Sequence, residues 1–273
     1  MERELDAEAL SHGWSLSFDE LALVEAMEPA ARLGFAAQLK MYLQTGRFPD
    51  QGSEIASEAA GYLAHQVEAN VAVLTEYDCV GRTGRRHRQQ ILKHLGIRRM
   101  AAADKRDLTA WLVWDVCPNG VSAEEAIEQA YGWCRDRGVL SPVAKELDRL
   151  VRSARRDFET DLLERVAASL APGTVSYMEA SLASSGSDGF DGLKADPGPV
   201  SLESVLTTAE SLAFIRALQL PAWIAGCAGA PLLTELRRRV AHETGWEMRR
   251  HPTARRLGLY AIFLAHRERE ITD

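Results

Sequence analysis

The densest chemistry in this sequence lies in Arg82-Thr-Gly-Arg-Arg-His-Arg-Gln-Gln-Ile-Leu-Lys-His-Leu-Gly96. Arginine and glutamine carry paired donors and acceptors that match the edges of guanine and adenine, and lysine and arginine neutralise phosphates. With Thr83 as N-cap, the spacing predicts a helix that turns Ile91, Leu92 and Leu95 inward and presents Arg85, Arg86, Arg88, Gln89 and Lys93 outward. Cations gathered at a helix start oppose its dipole, so folding alone gives no reason for them. His87 and His94 fall on the same helix, but without Cys or carboxylate partners at ligand spacing they read as exposed or DNA-facing, and no metal site or cofactor is expected.

The surrounding charge sharpens that reading. Net charge is −7, yet residues 81–106 hold nine Lys/Arg, Arg98 and Arg99 among them, against the single acid Asp104. Residues 237–256 hold seven Arg, including Arg237, Arg238, Arg249 and Arg250, against Glu243 and Glu247. Two basic islands on an acidic body suit a protein with two basic contact surfaces. Two solvated helix faces would give the same counts.

The elements that must position these residues read as helices throughout. Ser17–Glu20 and Ser122–Glu125 have the form of capping boxes, Ser141-Pro142 places a cap before a first-turn proline, and Gly96 and Gly138 sit at helix stops. Helices are expected at 17–28, 30–44, 54–67, 70–77, 83–95, 102–116, 122–137, 141–170, 173–183, 201–218, 230–246 and 252–268, and no alternating β-pattern of useful length competes. The expected fold is all-α, in several small helical bundles. Helices at 59–67 and 71–77 joined by a short turn suggest a helix-turn-helix. The expected division is 1–100, 101–183 and 201–273, with the Gly/Ser/Pro-rich stretch 184–200 as an exposed loop or linker.

Other chemistry finds little support. There is no phosphate-binding G-x-x-x-x-G-K-[ST], no G-x-G-x-x-G, no G-x-S-x-G and no H-E-x-x-H, so no catalytic residue is nominated. Cys79, Cys117, Cys134 and Cys227 form no C-x-x-C pair and read as reduced, partly buried thiols. Trp111, Trp114, Trp133 and Trp223 read as core anchors. No apolar run is long enough to span a membrane, and the acidic opening residues lack a secretory pattern, so a cytoplasmic location is expected.

Several ordered blocks carry a wider resemblance. They are Leu16–Val24, Arg32–Leu39 with Gly46-Arg-Phe-Pro49, Tyr77 with Arg82-Thr83 and His87-Arg88, and Ile91 with Leu95-Gly96. Trp111-Leu112, Leu193–Gly198, Ser201–Leu206, Ile215–Trp223 and the arginine-rich close up to Thr272-Asp273 follow. In this order they resemble the amino-terminal region of the Tn-three family of replicative transposases. The resemblance implies a region that binds the terminal inverted repeats of double-stranded transposon DNA. It also implies that the family's acidic catalytic triad, which holds two magnesium ions, lies further downstream in a chain that continues past Asp273. The competing expectation is a helical module that docks on the rest of the transposase or on a second copy in a homodimer.

Overall fold

In a computed structural model, residues 6–184, 189–194 and 201–272 are described. Among them the helices, in chain order, are α1 (Ala7–Trp14), α2 (Phe18–Glu25), α3 (Arg32–Thr45), α4 (Ser57–Gln66), α5 (Val73–Glu76), α6 (Arg82–His94), α7 (Ala102–Trp111) and α8 (Ala123–Asp136). They continue with α9 (Ala144–Ala168), α10 (Pro172–Ala183), α11 (Phe190–Leu193), α12 (Leu202–Ala217), α13 (Ala230–His242), α14 (Gly245–Arg250) and α15 (Thr253–Thr272). The strands β1 (Arg98–Arg99) and β2 (Val139–Leu140) pair in parallel. The protein is all-α, as the periodicity indicates.

The chain divides into two compact units, residues 1–108 with 127–148, and residues 109–126 with 149–273. The boundaries fall within α7, α8 and α9 instead of at 100 and 184. Composition marks the breaks between helices, whereas membership of a core depends on residues distant in sequence. Residues 185–188 and 195–200 of the expected linker lie outside the described residues. The part of it that is described is no exposed loop, since Phe190 is fully buried and meets the Tyr260 ring edge-on at 4.9 Å between centroids.

In the first unit α3 is the central element, with α1, α2, α4, α5 and α6 packed on it. Its residues Leu33–Tyr42 are all buried, which suits a helix enclosed by neighbours and not a one-sided surface helix. Lys40 and Gln38 in that stretch are matched, with Lys40 Nζ 3.1 Å from Glu20 Oε2 and Gln38 held by Tyr77 and Arg88, whereas the buried Tyr42 hydroxyl has no hydrogen-bond partner. Local signals behave as their chemistry requires. Ser17 and Glu20 form a reciprocal capping box, Ser122 and Glu125 do likewise, and Gly96 and Gly138 take left-handed φ values of 66° and 61° where helices end.

Other boundaries differ, each for a local reason. The helix expected over 70–77 is the single turn α5, so the expected helix-turn-helix has a one-turn second helix. The helix expected over 102–116 gives way after Trp111 to a π-turn at Leu112–Val116. The run 230–246 breaks because Thr244 and Glu247 make a capping box of their own and start α14. Ser141 caps nothing, because its hydroxyl donates to the Gly46 carbonyl and α9 begins at Ala144.

In the second unit α15 carries the core through Leu257–Ala265, with α10, α12, α13 and α14 against it. Gly258 permits the close approach of α9, since a Cβ there would strike the Leu163 backbone. Trp133 is buried as expected, but Trp114 and Trp223 are exposed, so neither anchors a core.

Candidate nucleic-acid interface

The basic helix α6 is fixed to the first unit by a polar network. His87 is 1 % exposed and Gln38 0 %, both inside the packed region between α6 and α3. Gln38 Nε2 donates to the Tyr77 hydroxyl at 2.6 Å, and that hydroxyl lies 2.7 Å from His87 Nδ1. Arg88 Nε donates to Gln38 Oε1 at 3.0 Å, and Arg88 Nη2 donates to the Pro49 carbonyl at 2.6 Å. The Tyr77 ring stacks on His87 and covers Gly34, where any Cβ would overlap it. Burial lowers the His87 pKa, with Arg86 adding repulsion, and burial raises the Tyr77 hydroxyl, so both rest neutral.

This network revises two sequence readings. His87 is not exposed or DNA-facing; it is the buried pivot of α6. Arg88, expected at a base edge, points back to Gln38, Pro49 and the Asp50 carboxylate 3.6 Å away. The inward stripe of α6 is Gly84, His87 and Ile91, with Leu92 and Leu95 only half-buried. Nor does Thr83 cap the helix. Gly81 is the N-cap, and Asp78 Oδ1 accepts from the Val80 and Gly81 amides at 3.1 and 2.8 Å to shape the entry. Gly84 is required beside this turn, because a Cβ would overlap the Cys79 carbonyl.

The outer face is another matter. Arg82, Arg85, Arg86, Gln89 and Lys93 are exposed, and no acid occurs from residue 82 to 99. Among the described residues, no carboxylate pairs with Arg82, Arg85, Arg86, Lys93 or Arg99. Arg98 differs: its guanidinium holds Asp104 at 2.5 and 2.7 Å, and that bond with the Ala101 amide brings the Asp104 pKa down to about 2. Beside the helix runs a cleft of about 590 Å³ bordered by Arg47, Phe48, Arg85, Arg88 and Gln89. Arg85 and Gln89, one helical turn apart, therefore share a face and a groove edge.

The arginines of the second unit are of two kinds. Arg237 pairs with Glu270, Arg239 and Arg255 share Glu159, and Arg256 takes Glu179 at 2.7 Å. These tie helices together. Arg238 and Arg249 are exposed without a carboxylate partner among the described residues, and Arg250 lies 4.8 Å above the exposed Trp246 ring. Sequence counting could not separate the two kinds, because the partner acids Glu159 and Glu179 lie about 80 residues upstream.

The cysteines form no disulfide, and burial pushes the Cys134 thiol up to about 11. Among the described residues no group of three or more His, Cys, Asp or Glu could hold a metal ion, and no helix is long and apolar enough to cross a membrane.

Fold and surface thus define an all-helical protein that braces one arginine-rich helix from within and leaves its outer face uncompensated. Residues 1–154, more than half of the 273, match the family described as a domain of unknown function (DUF4158), and the chain belongs to that family. No curated protein matches it.

Proposed function

We propose that the chain is the DNA-binding region of a replicative transposase of the Tn-three type, cytoplasmic, non-catalytic in itself, and specific for the terminal inverted repeats of its transposon. The observation that carries this reading is the acid-free outer face of α6, where Arg82, Arg85, Arg86 and Lys93 lack carboxylate partners among the described residues. Surface cations that serve folding tend to acquire local acids, as Arg98 and Arg256 do. Those that serve a polyanion are left open to it. In this reading Arg85 and Gln89 meet base edges, while Arg82, Arg86, Lys93 and Arg99 hold phosphates, with Arg238, Arg249 and Arg250 as a second set. Arg88 keeps the helix in place.

The test is duplex binding by a variant with Arg82, Arg86 and Lys93 all replaced by alanine. The salt dependence of log affinity should flatten by about 0.9 for each phosphate that the variant no longer neutralises. An unchanged slope and affinity would refute the assignment.

A second reading, docking on the remainder of the transposase or on a second copy, is favoured by the exposed Leu202, Val205 and Leu206 on α12. Light scattering separates the two: a stable dimer that ignores DNA supports docking.

A further inference from the structure

The second unit contains a cleft of about 480 Å³ that the reading of α6 does not use. Its wall is apolar at Cys117, Val121, Phe158 and Leu232, and its rim carries Arg152, Arg155, Arg156, Arg239 and Arg255 with only Glu159 and Glu235 against them. Glu159 Oε1 accepts from Arg239 Nη1 at 2.6 Å and from Arg255 Nη2 at 2.8 Å, so one carboxylate oxygen draws two guanidinium groups together. Glu235 lies 3.6 Å from Arg155 and 3.7 Å from Arg239. Arg155 also donates to the Val121 carbonyl, which fixes its position at the rim.

Arg156, on the same helix, is exposed and has no carboxylate partner among the described residues. Even with Arg152 set aside, four arginines face two glutamates, an excess of two positive charges. Arginine cannot shed its proton to relieve that excess. An anion can, and planar guanidinium forks match the oxygens of phosphate. The cleft is larger than phosphate alone needs, and its apolar wall suits an uncharged ring carried by the same ligand.

We propose that this cleft binds a nucleotide, with the phosphate on the arginine rim and the base against Phe158 and Leu232. The nucleotide is either free or a unit of a DNA strand, and the recognition chemistry is common to both. The cleft shares no residue with α6, so either assignment can fail alone.

The test uses the full chain, calorimetry with deoxyadenosine monophosphate and with deoxyadenosine, and fluorescence anisotropy with duplex and single-stranded DNA. Arg156→Ala is the variant, and Arg149→Ala, an exposed position on the same helix outside the cleft lining, controls for net charge. If the source is free nucleotide, the monophosphate binds, deoxyadenosine does not, and Arg156→Ala weakens binding by roughly tenfold, as loss of a charge-assisted hydrogen bond implies. If the source is a strand, the monophosphate is silent and Arg156→Ala weakens DNA binding several-fold more than Arg149→Ala. Monophosphate that is silent, with the two variants equal on DNA, overturns the proposal. DNA binding that disappears on substitution of α6 while monophosphate binding persists leaves the cleft intact. Monophosphate binding by a chain that never binds DNA removes the α6 reading alone.

Discussion

Tyr77→Phe removes a single oxygen at the pivot of α6. That oxygen accepts from Gln38 Nε2 at 2.6 Å and pairs with His87 Nδ1 at 2.7 Å, and both partners are shut off from water. The ring remains to cover Gly34, so packing is preserved and the change isolates the hydrogen bonds. Each buried group left without a partner costs about 1–3 kcal/mol, which puts the loss at about 2–4 kcal/mol after some local relaxation of the two side chains. Two units in one chain make a single unfolding transition an unsafe assumption, so amide hydrogen exchange over Arg85–Lys93 is the better assay. At roughly 1.4 kcal/mol per decade, exchange there should quicken by about 30- to 700-fold. The amides of Leu257–Ala265, in the other unit, should be unaffected. A change below threefold in α6 would show that the helix is held by its apolar packing and that the network contributes nothing.

Further outcomes follow from the same geometry. His87 has a folded pKa below its unfolded value, so the unfolded chain binds the proton first as pH falls; α6 should lose protection from about pH 6.5 downward, and His87→Gln should flatten that dependence in pH-stepped exchange. Gly34→Ala forces a Cβ into the Tyr77 ring and should lower the urea midpoint of the first unit by an amount equivalent to about 1–3 kcal/mol, with Gly61→Ala, where nothing lies near, as the tolerated control. For Asp104, the folded pKa is depressed to about 2, so its pairing with Arg98 stabilises above the unfolded value near 4 and is lost between about pH 4 and 2; Asp104→Asn should remove that component of acid unfolding followed by circular dichroism.

The parts of this fold legible in the sequence are those set by residues within a few positions of each other. Ser17 with Glu20, Gly96 and Gly138 are local stereochemistry, and the helices begin and end at them. Asp6, which caps α1 by accepting from the Ala9 amide, and Thr244 with Glu247 are signals of the same kind that apolar periodicity does not carry. What stayed hidden is nonlocal. Arg88 meets Gln38 fifty positions away, and Arg256 meets Glu179 seventy-seven away, so counting charges placed bracing arginines and open ones in one class. His87 looked like one more polar residue on a polar helix, because its partners Tyr77 and Gln38 and the ring of Phe35 arrive from other elements. The unit boundaries inside α7, α8 and α9 are hidden for the same reason, since no change of composition marks them.

In the proposed function the open cations of α6 meet the ends of a transposon. Its most direct test is fluorescence anisotropy of the full chain with a labelled duplex of that terminal inverted repeat and with a scrambled duplex of equal length, from low to physiological salt. The expected result is tighter binding to the end duplex, with log affinity falling against log salt by about 0.9 per phosphate neutralised. Equal affinity for the two duplexes, or no binding to either at low salt, would contradict it.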